Sequence, residues 1–580
     1  MRHIRSLRLL ALASAAATVT VACGGASGPG GNGVAAAPAS QQVLRINEGV
    51  EPNSYDPTQQ TYTYEAAVGR NTFEALLKAK TDGSDVTGAA AQSYDVSPDG
   101  LTYTFHLRTN GKWSDGKPVT AQDFVYGWKH LLNPALAAGY VDPFFDGTIA
   151  GGQNYATLAF SKTTPTAAQI DSFLNGLGLS APDSHTFVVK LQHKAAYFKW
   201  VCTLWVGVPL RADVVNQAAG GTAPASTDTA KLEAWAQNAS TIVGNGPFKI
   251  QDIVTKDHVD MVPNTYYWNG APKIQKLTYF FISDANTAYS LYKTGGLDIL
   301  NVPLADVTTV RGDPKLSKEA HLYPTLSTFW MTFNSKVKPF DKALVRMAFA
   351  KSIDRNLLVN NVEHGTDKAW QSFIPKGMPG VYTGDNAQSF DPAAARADLQ
   401  KAGVQPSAFD NIKLLTRATT GNETINQFIV AQWNTNLHTN IKLDVLDSHT
   451  VTTHIRHGQF DIYGPDGWGA DYPDQQDWFD IFTTAACGSL NWGCVGATGG
   501  LPGYDALVAK ADTNLNASQR AQEYLKAQKQ LIDTATVGFI YQQYEYDLVK
   551  PYVANMTKTP TDDEYTPGDL HYDTIYIAKH

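Results

Sequence analysis

The chain has 580 residues, 43% hydrophobic and 17% charged, with a formal net charge of −8. That is the composition of a globular protein, and the length calls for roughly two to four domains, because a single core does not grow so large. Beyond the N-terminus no basic run occurs, which excludes a nucleic-acid partner, since phosphate binding needs concentrated Lys and Arg.

Met1 to Arg8 carries three Arg and no acid, and an apolar, small-residue run follows as far as Ala22. A charged start, a short apolar stretch and a small residue at its end make a secretory signal. The run is too short to span a bilayer. Cys23 directly after Ala22 resembles a bacterial lipoprotein signal, with Cys23 as the lipidated first residue of the mature chain, although Thr20 stands where Leu is usual. Residues 24–42 are mostly Gly, Ala, Ser and Pro and carry no charge. They read as a flexible tether. Residues 1–22 are thus expected to be a signal peptide, and 23–42 the lipidated Cys with its tether. Four cysteines are present. Cys487 and Cys494 flank a short glycine-containing loop and are expected to form a disulfide in an exported protein. Cys202, in an apolar run, reads as a buried free thiol.

Residues 43–46 predict a short strand, and 61–64 an extended segment. Residues 65–77 carry apolar residues near helical spacing. Ser97-Pro98-Asp99-Gly100 is a turn. Residues 101–107 then alternate apolar and polar, a half-buried strand. After a second turn at 112–118, Thr120 is placed to cap a helix carrying Phe124 and Trp128 on one face. Further on, 164–177 predicts a helix, 183–191 a strand and 229–239 a helix. Strands alternate with helices through most of the chain, so the fold class is α/β.

Residues 464–480 stand out. Gly464, Gly467 and Gly469 leave backbone bare, and Trp468, Tyr472 and Trp478 offer flat apolar surface. Asp466, Asp471, Asp474, Asp477 and Asp480 supply five carboxylates with no Lys or Arg. A short strand at 460–463 runs into this loop. Such a stretch suits a pocket for a cationic, partly apolar ligand. It equally suits a surface loop with scattered acids.

The run from Asp99 to Arg108, followed by Lys112-Trp113-Ser114-Asp115-Gly116-Lys117-Pro118 and Val119 to Tyr126, closely resembles the signature of bacterial family 5 extracellular solute-binding proteins. These are the oligopeptide- and dipeptide-binding lipoproteins of ABC importers. Gly244 to Ile250, Asn264 to Trp268, Phe333-Asn334 with Pro339-Phe340-Asp341 and Val345 to Ala350, and 458–472 continue the likeness, which covers about 43–580. Trp113, Asp115 and Asp123 look like scaffold residues. Asp341 is expected to cap a helix with Leu344, Met347 and Ala348 inward.

The resemblance implies a type II periplasmic-binding-protein fold: two lobes with a ligand cleft, plus an inserted extra domain. Lobe I would comprise 43–73, 208–326 and 545–580, the extra domain 74–207 and lobe II 327–544. By the same resemblance, Asp471 would pair with the free α-amino group of a peptide. Gly467 and Gly469 would offer backbone for strand addition, Trp468 would wall the pocket, and Tyr62 and Thr63 would face the peptide from lobe I. The other acids of the loop would be ordinary. The implied partners are a peptide, the permease of an ABC transporter and, through lipid, a membrane; the implied state is a monomer without cofactor or metal.

No nucleophile elbow, phosphate loop, H-E-x-x-H or C-x-x-C motif occurs. His454 and His457 share a helical spacing, but Arg456 lies between them and no third metal ligand is evident. The alternative from another class is a secreted glycoside hydrolase using acids of 466–480.

Overall fold

The computed structural model describes residues 34–61, 63–141, 148–161, 163–484, 501, 503–559, 561–562 and 566–580. Cys23, Tyr62, Cys487 and Cys494 lie outside them. One large mixed sheet organises the chain. From one edge its strands run Lys442–Leu446, Lys413–Arg417, Ile462–Gly469, Ala320–Phe333, Val537–Val549, Ile299–Asn301, Val43–Asn47, Lys276–Phe280, His258–Pro263 and Phe248–Val254. Val43–Asn47 is parallel to Lys276–Phe280 and is buried at Leu44 and Ile46.

Ala320–Phe333 and Val537–Val549 are the two strands that pass between the halves. They pair antiparallel from Ala320↔Leu548 to Thr332↔Val537. The C-terminal end of the second also pairs with Ile299–Asn301, at Ile299↔Val549. The ladder shifts register between Pro324 and Thr328, as a proline without an amide donor requires.

A separate antiparallel sheet is built from Ala91–Val96, Thr102–Leu107, Thr186–Lys190 and Leu179–Asp183. Its alternation is as the sequence predicts: Tyr103, Phe105 and Leu107 face inward. The adjoining helix Ala121–Leu131 buries Phe124 and Trp128. Its start is held by Asp123, which accepts from the Thr120 amide at 2.8 Å and hydroxyl at 2.9 Å. Trp113 is fully buried and donates its indole N–H to the same carboxylate at 3.3 Å. Asp115 accepts from Arg211 at 3.2 Å. These three residues brace the scaffold.

Several expectations are corrected. The segment at 61–64 is not extended throughout, because the helix Thr63–Thr72 starts inside it. Glu65 anchors that start, accepting from the amides of Thr61 at 2.7 Å and Asn53 at 3.0 Å. The helix expected at 229–239 is a single turn, Thr229–Leu232, followed by the 3-10 turn Ala234–Gln237, which brings Trp235 into the core. Asp341 does not cap its helix. The cap is Lys342, and the helix is Ala343–Lys351, because 337–342 first forms turns that close on Val337 and Pro339. That offset leaves Leu344 41% exposed while Val345 and Phe349 turn inward. Asp354, by contrast, does cap Arg355–Asn361, accepting from the Leu357 amide at 3.0 Å.

The end of the expected tether is not loose. Ala36 bridges Ala578, and Gln42 donates to the carbonyls of Ala37 at 2.9 Å and Ile577 at 2.8 Å. Backbone pairing supplies what these small side chains lack. Cys202 is buried and free, and burial raises its thiol pKa well above the ordinary value. Among the described residues no helix is long and apolar enough to cross a membrane.

Candidate ligand-binding site

The stretch at 464–480 is strand before it is loop. The strand predicted at 460–463 runs on as Ile462–Gly469, despite its glycines and proline, because Ala320–Phe333 pairs with it from Phe333↔Ile462 to Ser327↔Gly469. The glycines suit this packing. A Cβ at Gly467 would stand 2.7 Å from the Phe329 ring, and one at Gly469 would stand 2.9 Å from the Ser327 hydroxyl.

The other edge of this strand is paired with another strand only at its start, where Leu414 and Leu415 meet Ile462 and Tyr463, and Asn426 then donates to Gly464 O. Among the described residues no strand pairs with 464–469 on that side. The Ala470 amide donates to Leu326 O at 2.8 Å. By the two-residue alternation of a strand, the amides of Gly469 and Gly467 therefore point the opposite way, to the open edge. Gly469 is exposed, and the Gly467 amide is met by the Asp466 side chain at 3.1 Å.

Past Gly469 the chain turns and its acids separate by role. Asp474 forms a two-pronged pair with Arg520, at 2.5 and 2.7 Å. Asp466 accepts from Thr332 at 3.1 Å, and Asp480 accepts from Gln476. Asp477 is no ordinary surface acid, for it is 1% exposed. It accepts from the Asp471 amide at 3.0 Å and from the Trp468 indole at 3.3 Å. Trp468 is thus half-buried and tied back against its own half, packed on the core cluster to which Trp478 and Phe479 belong. Tyr472 does the reverse, packing into the core of the opposite half.

Asp471 and Tyr472 line a cavity of about 80 Å³ between the two halves, with Arg70, Glu74, Asp569 and Asp573 on the facing wall. Arg70 donates to Asp569 at 3.0 Å, and Lys78 lies 3.8 Å from Asp573. Glu74 accepts from the Tyr267 hydroxyl at 2.5 Å and the Trp268 indole at 2.6 Å. Burial pushes Glu74 up to about 7, with those two donors opposing. The Oδ2 of Asp471 is buried, and among the described residues no N–H or hydroxyl group donates to it. Burial pushes its carboxyl up to about 7, against the attraction of Arg70.

Of the predicted residues Asp471 lines this cavity, while Gly467, Trp468 and Gly469 precede it on the strand Ile462–Gly469 and are not part of its wall. Thr63 opens the helix Thr63–Thr72, which carries Arg70 to the same cavity. The facing wall was missed by the sequence reading, since Arg70 and Asp569 are 499 positions apart and nothing local marks them. His454 lies in the helix Ser448–Arg456 and His457 is its C-cap. Among the described residues no group of three metal-ligating side chains occurs.

A two-lobed α/β body with a cleft crossed by two strands defines a solute receptor of the periplasmic-binding type, and the chain belongs to the bacterial extracellular solute-binding proteins, family 5, whose middle-region model matches residues 85–489. It is similar to the periplasmic murein peptide-binding protein MppA of Escherichia coli, 28% identical over 541 residues covering 91% of this chain and 92% of that one. It is 29% identical over 560 residues to the periplasmic oligopeptide-binding protein OppA of Salmonella typhimurium, covering 93% and 94%. Among solved structures, Haemophilus influenzae OppA in complex with RPPGFSPFR matches with a TM-score of 0.73 at 25% identity, covering 93% of this chain and 99% of that one.

Proposed function

We propose that this protein captures peptides in the cleft between its halves and hands them to the permease of an ABC importer. The observation that carries the reading is the Asp471 carboxyl, lodged in a cavity whose two cations are already engaged. A buried anion without a counter-ion is costly, and a ligand ammonium group relieves that cost. The open edge at Gly467 and Gly469 complements it. Main-chain pairing there accepts an extended peptide whatever its side chains, and the half-buried Trp468 adds apolar surface.

At about 80 Å³ the cavity holds an amino group or a few waters, not a peptide. Ligand pockets run to roughly 300 Å³ and more. Entry therefore requires the halves to part about the two crossing strands, a hinge motion. In this reading lobe I is 43–73, 208–326 and 545–580, the extra domain 74–207 and lobe II 327–544. The mature chain is a monomer held to the outer face of the membrane by lipid on Cys23, and Cys487 pairs with Cys494.

Intrinsic tryptophan fluorescence titrated with tripeptides, free and N-acetylated, tests the reading. A saturable change with the free peptides and a much weaker one with the acetylated set is expected. No saturable response to any peptide, with mass spectrometry finding a non-peptide solute in the purified protein, overturns it.

A further inference from the structure

Asp477 is buried behind Asp471 and does not line the cavity. Its Oδ2 is taken by two donors, the Asp471 amide and the Trp468 indole. Its Oδ1 is buried with no donor, as is Oδ2 of Asp471. The two side-chain carboxyls lie within hydrogen-bonding reach of each other. Two ionised carboxylates so placed repel, and each keeps an unsatisfied oxygen. One proton between them answers both problems at once.

We propose that Asp477 is a positioning residue that works as a neutral acid. It carries the single proton of the pair, donates it to Asp471, and so holds Asp471 as the anion that meets the ligand amine. The inference rests on the amine-binding reading of Asp471. The surroundings agree on which member keeps the proton. Arg70, from the facing helix and already bonded to Asp569, favours the charge on Asp471. On Asp477 burial is the largest influence and the charge of Asp471 the next, and both keep its proton in place. The other nearby acids, Asp474 and Asp480, are bonded to Arg520 and Gln476. The pair thus carries one negative charge, matched to one ammonium group. It also ties ligand capture to the backbone of the loop, because the same Asp477 side chain fixes the Asp471 amide and the Trp468 ring.

The test is a set of variants, Asp477→Asn, Asp477→Ser and Asp477→Ala, with Asp471→Asn beside them. Affinity for trialanine is measured by calorimetry from pH 5.5 to 8.5. Asn keeps an acceptor for the two N–H groups and a donor for Asp471, so Asp477→Asn is expected within about threefold of the native protein, with the acid limb of its pH profile unmoved. Asp477→Ala removes the donor. It is expected to lose at least about tenfold and to shift the acid limb upward by about one pH unit, since a donor to a carboxylate is what favours its ionised form. Asp477→Ser restores a donor and is expected to fall between them. A merely structural role would lower affinity equally at every pH.

Loss in Asp477→Asn as deep as in Asp477→Ala, or an acid limb that moves down in Asp477→Asn, overturns the proposal, because it means the charge of Asp477 is itself required. Native behaviour of Asp477→Ala overturns it as well. If Asp477→Ala fails to fold, Asp477→Asn and Asp477→Ser decide the matter. Asp471→Asn separates the two ideas: unchanged affinity there defeats the amine-binding reading, whatever Asp477 does.

Discussion

Replacing Asp471 by Asn keeps the shape of the side chain and removes the charge. The carboxyl is raised from 3.8 to about 7, which corresponds to about 4 kcal/mol of penalty on its ionised form. A ligand ammonium seated against it recovers much of that penalty, and a buried charge pair that loses one partner forfeits about 2–5 kcal/mol. Asp471→Asn should therefore weaken free-amine tripeptides by about 2–4 kcal/mol, or roughly 30- to 1000-fold in Kd at pH 7.5. An N-acetylated tripeptide carries no ammonium group and should lose less than about threefold, since only a hydrogen-bond acceptor has changed in strength. Calorimetry on both ligands gives the two ratios. Equal losses for the two would refute the reasoning, as would a free-amine peptide that binds Asp471→Asn as well as the native protein.

Four further outcomes are expected. Free-amine peptides bind the ionised Asp471, so their affinity should fall about tenfold per pH unit below about 7 and fall again above about 8, where the α-amine loses its proton; fluorescence titration at a series of pH values should show this narrow optimum, and acetylated peptides a flat profile. Without ligand the sign reverses: the folded carboxyl holds its proton up to about 7 while the unfolded one releases it near 3.8, so the Asp471 contribution to stability declines as pH rises through that window, and Asp471→Asn should abolish that part of the decline in thermal melts. Gly467→Ala sets a Cβ 2.7 Å from the Phe329 ring and should cost about 1–3 kcal/mol in urea unfolding, as overpacking does. Arg355 is buried and donates to the carbonyls of Phe539 at 2.6 Å, Ile353 at 3.0 Å and Ala350 at 3.0 Å; Arg355→Ala strands all three and should cost about 3 kcal/mol or more in urea unfolding.

What the sequence revealed best was local. The turn at 97–100, the strand after it and the capped helix at 121–131 each follow from residues within a few positions of one another. The loop at 464–480 was harder to read. Its glycines and proline argue against strand, yet the ladder with Ala320–Phe333 overrides propensity, because long-range pairing satisfies the backbone that local preference leaves free. Asp471 stands out in the sequence only through the likeness of its loop to the family's Gly-Trp-x-x-Asp pattern. Asp477 was passed over as an ordinary acid, although an Asp set directly before Trp478 and Phe479 is a weak signal of burial. Arg70, Glu74 and Asp569 carried no signal, since they meet Asp471 only when distant parts of the chain assemble.

The last residues of the chain close the first part of the fold. Ile577 and Ala578 hold Ala36, Ala37 and Gln42, and Asp569 reaches both Arg70 and Asn71. A polypeptide emerging N-terminus first cannot complete that region until its final segment has been made. Such late, long-range closure slows folding. That region of the newborn chain thus stays open until its partner segment at 569–578 has been made. The end made last is also the end whose loss would undo what was made first.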